Sequence, residues 1–153
     1  MQLQRFESIA EFYPRVEPFL LLHETEHCLL LGLSTNLLKK DASYQEQPYL
    51  AYVEDGGEIV AVALRTPPYN LILSYMADDK PLSIIADDVQ SVYSELVGVL
   101  GMQSFSQTFA ECWKNKSGQN YRLNMREGIY RLRQVNAVGV VSGDYRLPTE
   151  ADR

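Results

Sequence analysis

The strongest pattern in the chain is a pair of apolar runs on either side of an Asp-Gly turn. Residues 49–53 and 59–64 are rich in β-branched and aromatic side chains, and Glu54-Asp55-Gly56-Gly57-Glu58 joins them. An Asp-Gly pair between two such runs is typical of a β-hairpin. Because both runs are apolar at nearly every position, we predict a sheet that helices cover on both faces.

Two helices are predicted before this hairpin. Ser8 and Glu11 have the spacing of a capping box, and Pro14 and Pro18 are expected to kink the helix that follows. A second helix is predicted over residues 24–40, where leucines recur at helical spacing and two lysines suit the carboxyl end. The leucines of this stripe are Leu29, Leu30, Leu31, Leu33 and Leu37. We expect this second helix to be well buried.

After the hairpin the pattern predicts a strand, a helix, a strand and a helix. The third strand is expected over residues 69–75, and a helix with a favourable proline in its first turn over residues 81–96. A short strand over residues 97–100 precedes a helix over residues 104–118, which opens on a second capping-box candidate and ends on a glycine.

Polar and apolar residues then alternate, which predicts a final pair of strands. Tyr121, Leu123 and Met125 alternate with polar side chains, Glu127-Gly128 breaks the phase as a bulge or turn would, and residues 129–135 resume as strand. Residues 136–143 are rich in Gly and Val without periodicity, so we interpret them as a connector. The whole order predicts a mixed α/β (α+β) domain with a central, mostly antiparallel sheet flanked by helices.

Composition narrows the classes of partner. The 153 residues fit one domain, and a net charge of −6 without any cluster of basic residues argues against nucleic acid or an anionic membrane as partner. No apolar run has the length of a membrane span, and no signal peptide is visible at the start, so we predict a cytoplasmic protein. Cys28 and Cys112 are expected to be buried, reduced thiols.

One short string invites a metal hypothesis. His23-Glu24-Thr25-Glu26-His27 matches HExxH, in which two imidazoles on one helix face bind zinc and the glutamate acts as general base. A catalytic zinc needs a third protein ligand, but Leu30 and Leu33 stand where an extended motif would have Gly and His. We therefore favour a surface helix face for this string and keep a zinc metallohydrolase as an alternative.

The hairpin over residues 48–64, with its acidic-Gly turn followed by Glu-Ile-Val-Ala, resembles the central strand pair of the GNAT acyltransferase superfamily. Two helices before it and alternating strands and helices after it are similar to the acyl-CoA N-acyltransferase fold. The resemblance implies acetyl transfer from acetyl-CoA to an amine, with acetyl-CoA as the cofactor of the full-length protein.

The end of the chain carries a second cue. Residues 145–153, Tyr-Arg-Leu-Pro-Thr-Glu-Ala-Asp-Arg, resemble the opening of a GNAT domain. The two cues together imply a GNAT-like N-terminal domain over residues 1–135, followed by a linker and the start of a second GNAT domain over residues 136–153. That second domain, and a small-molecule or peptide amine as acceptor, are the partners that the resemblance implies.

The chain departs from the family at the expected cofactor loop. GNAT enzymes hold the pyrophosphate of acetyl-CoA with backbone amides of a Gly-rich loop at a helix start. The corresponding residues 75–83 contain no glycine, two carboxylates, and a proline that removes an amide donor. We therefore expect no cofactor and no catalytic residue in this chain alone.

The first hypothesis is a non-catalytic N-terminal domain of an acetyltransferase. If this half shapes the acceptor cleft of the parent enzyme, the candidate residues are Arg65, Tyr69, Asn70, His23, Glu24 and His27. For these six residues the favoured interpretation is that they are ordinary turn and helix-surface residues. A stand-alone ligand-binding or regulatory module is kept beside the metallohydrolase as an alternative.

Overall fold

A single mixed sheet of five strands lies between two pairs of helices. The computed structural model describes residues 1–39, 46–137, 139, 142–143 and 145–152. The elements are β1 (Gln2–Phe6), α1 (Ile9–Leu21), α2 (Cys28–Leu38), β2 (Tyr49–Asp55), β3 (Glu58–Arg65), β4 (Leu71–Leu73), α3 (Lys80–Val92), β5 (Val99–Leu100) and α4 (Gln103–Ser117), with a short 3₁₀ turn at Glu150–Asp152.

The strands follow one another across the sheet in chain order, β1-β2-β3-β4-β5. The first four pair antiparallel, and β5 pairs parallel to β4 after the crossover through α3. The predicted hairpin is confirmed as β2 and β3. Gly56 and Gly57 hold its turn at φ of 60° and 89°, in the left-handed region that favours glycine.

Both faces of the sheet are covered, as the apolar strands predicted. On one face, alternate residues of β2 and β3 such as Ala51 and Ala63 pack under α3 and α4. On the other face, the intervening residues such as Leu50 and Leu64 pack under α1 and α2. Because side chains alternate between faces along a strand, one hairpin supplies both cores. The mixed α/β class with a central, mostly antiparallel sheet is confirmed.

The strand β1 has no counterpart in the sequence-based prediction. Three of its five residues are polar, and Leu3 and Phe6 each pack partly against a core, one on each face of the sheet. β1 is an edge strand that pairs with β2 through its backbone, with Leu3 opposite Val53. An edge strand with few buried side chains leaves little hydrophobic signal.

Several predicted boundaries were wrong. The second helix starts at Cys28, four residues after the predicted Glu24, and only Leu30 of its leucine stripe is fully buried. Ser8 does occupy the N-cap of α1, but its side chain makes no capping hydrogen bond, and α4 starts at Gln103 with Met102 as its cap. The Gly118 cap is confirmed, with φ of 77°.

Three shorter elements also differ. The helix α3 ends at Val92, so the buried Leu96 lies outside it. The strands β4 and β5 have three and two residues, shorter than the predicted 69–75 and 97–100. The strand pair predicted over residues 121–135 is wrong, because these residues form neither helix nor strand and are exposed throughout.

Two general expectations have mixed outcomes. Cys28 and Cys112 are free thiols, but Cys28 is exposed and Cys112 half-buried, so the predicted burial was wrong. Among the described residues, no helix combines the length and apolar character that crossing a membrane requires. Part of the predicted connector lies outside the described residues.

Candidate functional site

The HExxH string forms the turn between α1 and α2 rather than a helix face. Residues 22–27 are a run of turns, closed by the His27 amide, which donates to the His23 carbonyl at 2.9 Å. The two imidazole rings lie 6.0 Å apart, nearly perpendicular. His23 and Glu24 are exposed, whereas His27 is fully buried. The two histidines therefore have different environments despite their spacing.

His27 uses both ring nitrogens inside the protein. Its Nδ1 lies 2.8 Å from the carbonyl oxygen of Leu20 at the end of α1, and the backbone N–H of Tyr75 donates to Nε2 at 2.9 Å. Only the neutral tautomer with the proton on Nδ1 satisfies both partners. Desolvation by burial lowers the pKa of His27 below its ordinary value. His27 therefore acts as a neutral link between α1 and the residues after β4.

This arrangement does not suit a zinc site. A ligating imidazole must present a lone pair to the metal, and the lone pair of His27 Nε2 is already taken by the Tyr75 amide. The described residues contain no group of three His, Cys, Asp or Glu side chains placed to hold a metal ion. The geometry therefore gives the metallohydrolase alternative no support.

Aromatic rings gather beyond the carboxyl ends of β4 and β5. The ring of Tyr75 lies 4.4 Å from that of His23 and 6.2 Å from that of Phe105, while Phe19 stacks on His27 at 5.6 Å. In open α/β sheets this end of the strands is where ligands commonly bind. Here the space is occupied by side chains from α1, the α1–α2 turn and α4, so the sheet end is filled.

The start of α3 follows β4 at this same end of the sheet, and two of its amides are engaged. The Lys80 amide donates to Asp78 Oδ1 at 3.1 Å, and the Leu82 amide donates to the carbonyl of Asp79 at 3.0 Å. Pro81 between them has no N–H. Lys80 Nζ also contacts Asp78 Oδ2 at 2.9 Å, and this hydrogen bond lowers the pKa of Asp78 below its usual value. The helix start therefore carries its own bound carboxylate.

The other three candidates lie at the opposite end of β4. Arg65 ends β3 and is buried, with its Nε donating to the Tyr69 carbonyl at 2.9 Å. Its guanidinium lies 4.1 Å from the centre of the Tyr93 ring, a cation–π contact. Tyr69 is exposed in the turn after Pro67-Pro68, and Asn70 is half-buried next to Gly98.

The six candidates thus form two groups rather than one cleft. Asn70 precedes β4, and Tyr75, which contacts both histidines, follows it, so about 16 Å of extended chain separates the two groups. His23 and Glu24 line a polar hollow of about 220 Å³, together with Leu21, Leu22, Thr25, Glu26 and Arg131.

Sequence reasoning missed two residues that organise these regions. Gln119 accepts hydrogen bonds from the Leu96 amide and from Trp113 Nε1, at 3.1 and 2.7 Å, and its Nε2 donates to the Leu96 carbonyl at 2.8 Å. Tyr49 donates to Asp88 at 2.7 Å, and burial raises the pKa of Tyr49 well above its usual value. The contacts of Gln119 with Leu96 and of Tyr49 with Asp88 span 23 and 39 residues, so no local pattern signals them.

No protein-family model, no curated protein and no solved structure matches this chain.

Proposed function

We propose that this chain is a GNAT-like domain that does not bind acetyl-CoA and that serves an acetyltransferase by packing against a catalytic GNAT domain. The engaged start of α3 is the observation that carries this proposal. In the parent reaction the acetyl group passes directly from acetyl-CoA to an amine. The acceptor would be a small molecule or a peptide.

The order of elements supports the fold part of this proposal. Two helices precede the β2–β3 hairpin, and strand, helix, strand and helix follow it, which is the order that the resemblance implies up to residue 117. The sheet is antiparallel through β4 and flanked by helices on both faces. This likeness in order is the support for an acyltransferase-like fold.

The charge at the start of α3 supports the non-catalytic part. A helix start attracts anions through free amides and the positive end of its dipole. Here the Asp78 carboxylate already takes the Lys80 amide, and Pro81 offers none. A diphosphate would have to displace Asp78 and also approach the exposed Asp79. Each of these requirements opposes binding of a nucleotide diphosphate.

Calorimetric titration of the 153-residue chain with acetyl-CoA tests this proposal. We expect no measurable heat of binding, whereas a catalytic acetyltransferase titrated in the same buffer serves as the positive control. Tight, saturable binding of acetyl-CoA to this chain would overturn the non-catalytic assignment.

The encoding gene provides a second test, which addresses the partner. If the reading frame continues beyond Arg153, we expect the following residues to encode a domain with a Gly-rich loop at a helix start. A frame that stops soon after this position would contradict the proposed partner and favour a stand-alone module.

A further inference from the structure

Arg65 is a deeply buried cation without an acidic partner in the described part of the chain. It ends β3 with only 6% of its surface open to solvent. No Asp or Glu side chain among the described residues lies within ion-pair distance of it. Arginine is rarely buried to this degree unless it is paired, because taking a charge out of water is costly. A compensating anion is therefore expected at this side chain.

The hydrogen-bonding capacity of Arg65 is only partly used. Its Nε donates to the Tyr69 carbonyl at 2.9 Å, which is the one hydrogen bond of the guanidinium to the described residues. Within those residues, the fully buried side-chain atoms without a partner are Ser34 Oγ and Ser106 Oγ, so the terminal nitrogens of Arg65 still touch solvent. Nη1 and Nη2 are therefore available to a ligand that arrives from outside.

The guanidinium is held in place by its surroundings. Arg65 lies opposite Tyr49 in β2 and Leu71 in β4, two residues of the core under α3 and α4. The ring of Tyr93 covers one face of the guanidinium at 4.1 Å, and the bond to the Tyr69 carbonyl fixes Nε. A group that is already ordered loses little conformational freedom when it binds a ligand. The site is therefore preorganised.

Neighbouring charges leave this site positive. Asp88 of α3 reaches the same end of the β2–β3 hairpin, but it accepts a hydrogen bond from Tyr49 and lies 3.8 Å from Arg5. The carboxyl end of α3, at Val92, contributes a partial negative charge of about half a unit. That partial charge is smaller than the full charge of Arg65, so a single negative charge is still needed to balance the site.

The shape of the arginine selects the kind of anion. Two parallel N–H groups on a planar fork match the two oxygens of a carboxylate, which also carries the single charge that the site lacks. The residues next to the contacts are apolar and open to solvent: Tyr69 is 65% exposed, and Val92, which precedes Tyr93, is 43% exposed. A carboxylate joined to an apolar group therefore fits better than a bare inorganic anion.

We propose that Arg65 binds the carboxylate of an organic acid that has an aromatic or aliphatic body. Nη1 and Nη2 would donate to the two carboxylate oxygens, and the apolar body would lie against Tyr69. This site is at the opposite end of β4 from the start of α3. It therefore goes beyond the proposed function, and it does not require the chain to be acetyltransferase-like.

Solution NMR of the isotope-labelled wild-type chain tests the proposal with benzoate as the probe. The Arg65 Nε–H signal should be observable, because this proton is buried and hydrogen-bonded. We expect benzoate to shift it saturably, whereas benzamide, which has the same ring without the charge, should not. The absence of a saturable shift with benzoate would overturn the proposal. Equal binding of inorganic phosphate would overturn the choice of a carboxylate.

Two arginine variants locate the binding. Arg15 is the matched control, since its guanidinium also lies over an aromatic ring, that of Phe6 at 5.9 Å, but the residue is exposed. Followed through the Tyr93 amide signal, Arg65→Gln should weaken benzoate binding at least about tenfold, and Arg15→Gln should leave it unchanged. Equal affinities of the two variants would contradict the assignment. If Arg65→Gln does not fold, the wild-type comparison of benzoate with benzamide decides alone.

Discussion

Two regions of this chain have the residues of a β-hairpin, and only one of them is a hairpin. The strands β2 and β3 enclose the tight turn at Gly56 and Gly57 and are buried on both faces. The arm, residues 120–135, has β-type alternation around Glu127-Gly128, yet it is exposed and unpaired. Local propensity is therefore similar in the two regions, but their surroundings differ.

The difference teaches that coverage decides whether a β pattern becomes a strand pair. Each face of β2 and β3 meets a pair of helices, so nearly every apolar side chain leaves water. The apolar side chains of the arm are exposed in the described part of the chain, so neither face of it is buried. A two-stranded hairpin without a covered face is marginal in water. The same comparison can be tested by removing side chains from each region.

Replacing one leucine by alanine in each region should give the largest difference in the free energy of unfolding. Leu64 in β3 is fully buried, and Leu64→Ala should lower the free energy of unfolding by about 3 kcal/mol, through lost burial and the cavity left behind. Leu132→Ala in the arm should change it by less than about 0.5 kcal/mol, because that side chain is exposed. Urea denaturation under conditions that keep the chain monomeric measures both values. Equal losses would mean that the arm packs against its own body.

The two histidines of the α1–α2 turn differ in burial in the same way, since His27 is buried and His23 is exposed. His27→Ala should cost about 2 kcal/mol, because the Tyr75 N–H and the Leu20 carbonyl lose their buried partner. His23→Ala is the matched control and should cost less, since His23 is exposed and its ring packs against those of Tyr75 and His27. The same denaturation experiment applies. A larger loss for His23 would contradict the assignment of His27 as the structural link.

The sequence was most informative where hydrophobic residues are dense. The β2–β3 hairpin, the helix at Pro81 and the Gly118 cap follow from apolar runs and local turn chemistry. The strand β1 was missed because an edge strand pairs through its backbone and needs few buried side chains. The arm was predicted as strands because alternation reports the residues alone and not the surface that would cover them.

In the candidate site, too, local interactions could be predicted from the sequence and long-range ones could not. The two carboxylates and the proline before α3 could be read from the sequence, because capping is a local interaction. The role of His27 could not, since its partners are the carbonyl of Leu20, at the end of α1, and the amide of Tyr75, which is 48 residues away in the sequence. Spacing alone suggested that His23 and His27 would share an environment. Burial separates them instead.

The smallest expected effect is a dependence of stability on pH that belongs to His27. Burial holds the pKa of native His27 below its ordinary value, about 6.5 when unfolded. Between that value and the lower native pKa, the unfolded chain binds a proton that the folded chain does not. The free energy of unfolding should therefore fall as pH drops below about 6.5, by at most about 1.4 kcal/mol per pH unit for one proton. Above about pH 8 both states are neutral at this residue, and its contribution should be constant.

His27→Gln should flatten this slope between pH 6.5 and about 5.5, above the range where most carboxylates titrate. Urea midpoints of the wild type and His27→Gln at several pH values test this outcome. An equal slope in both proteins would show that His27 is not the group that remains neutral in the fold.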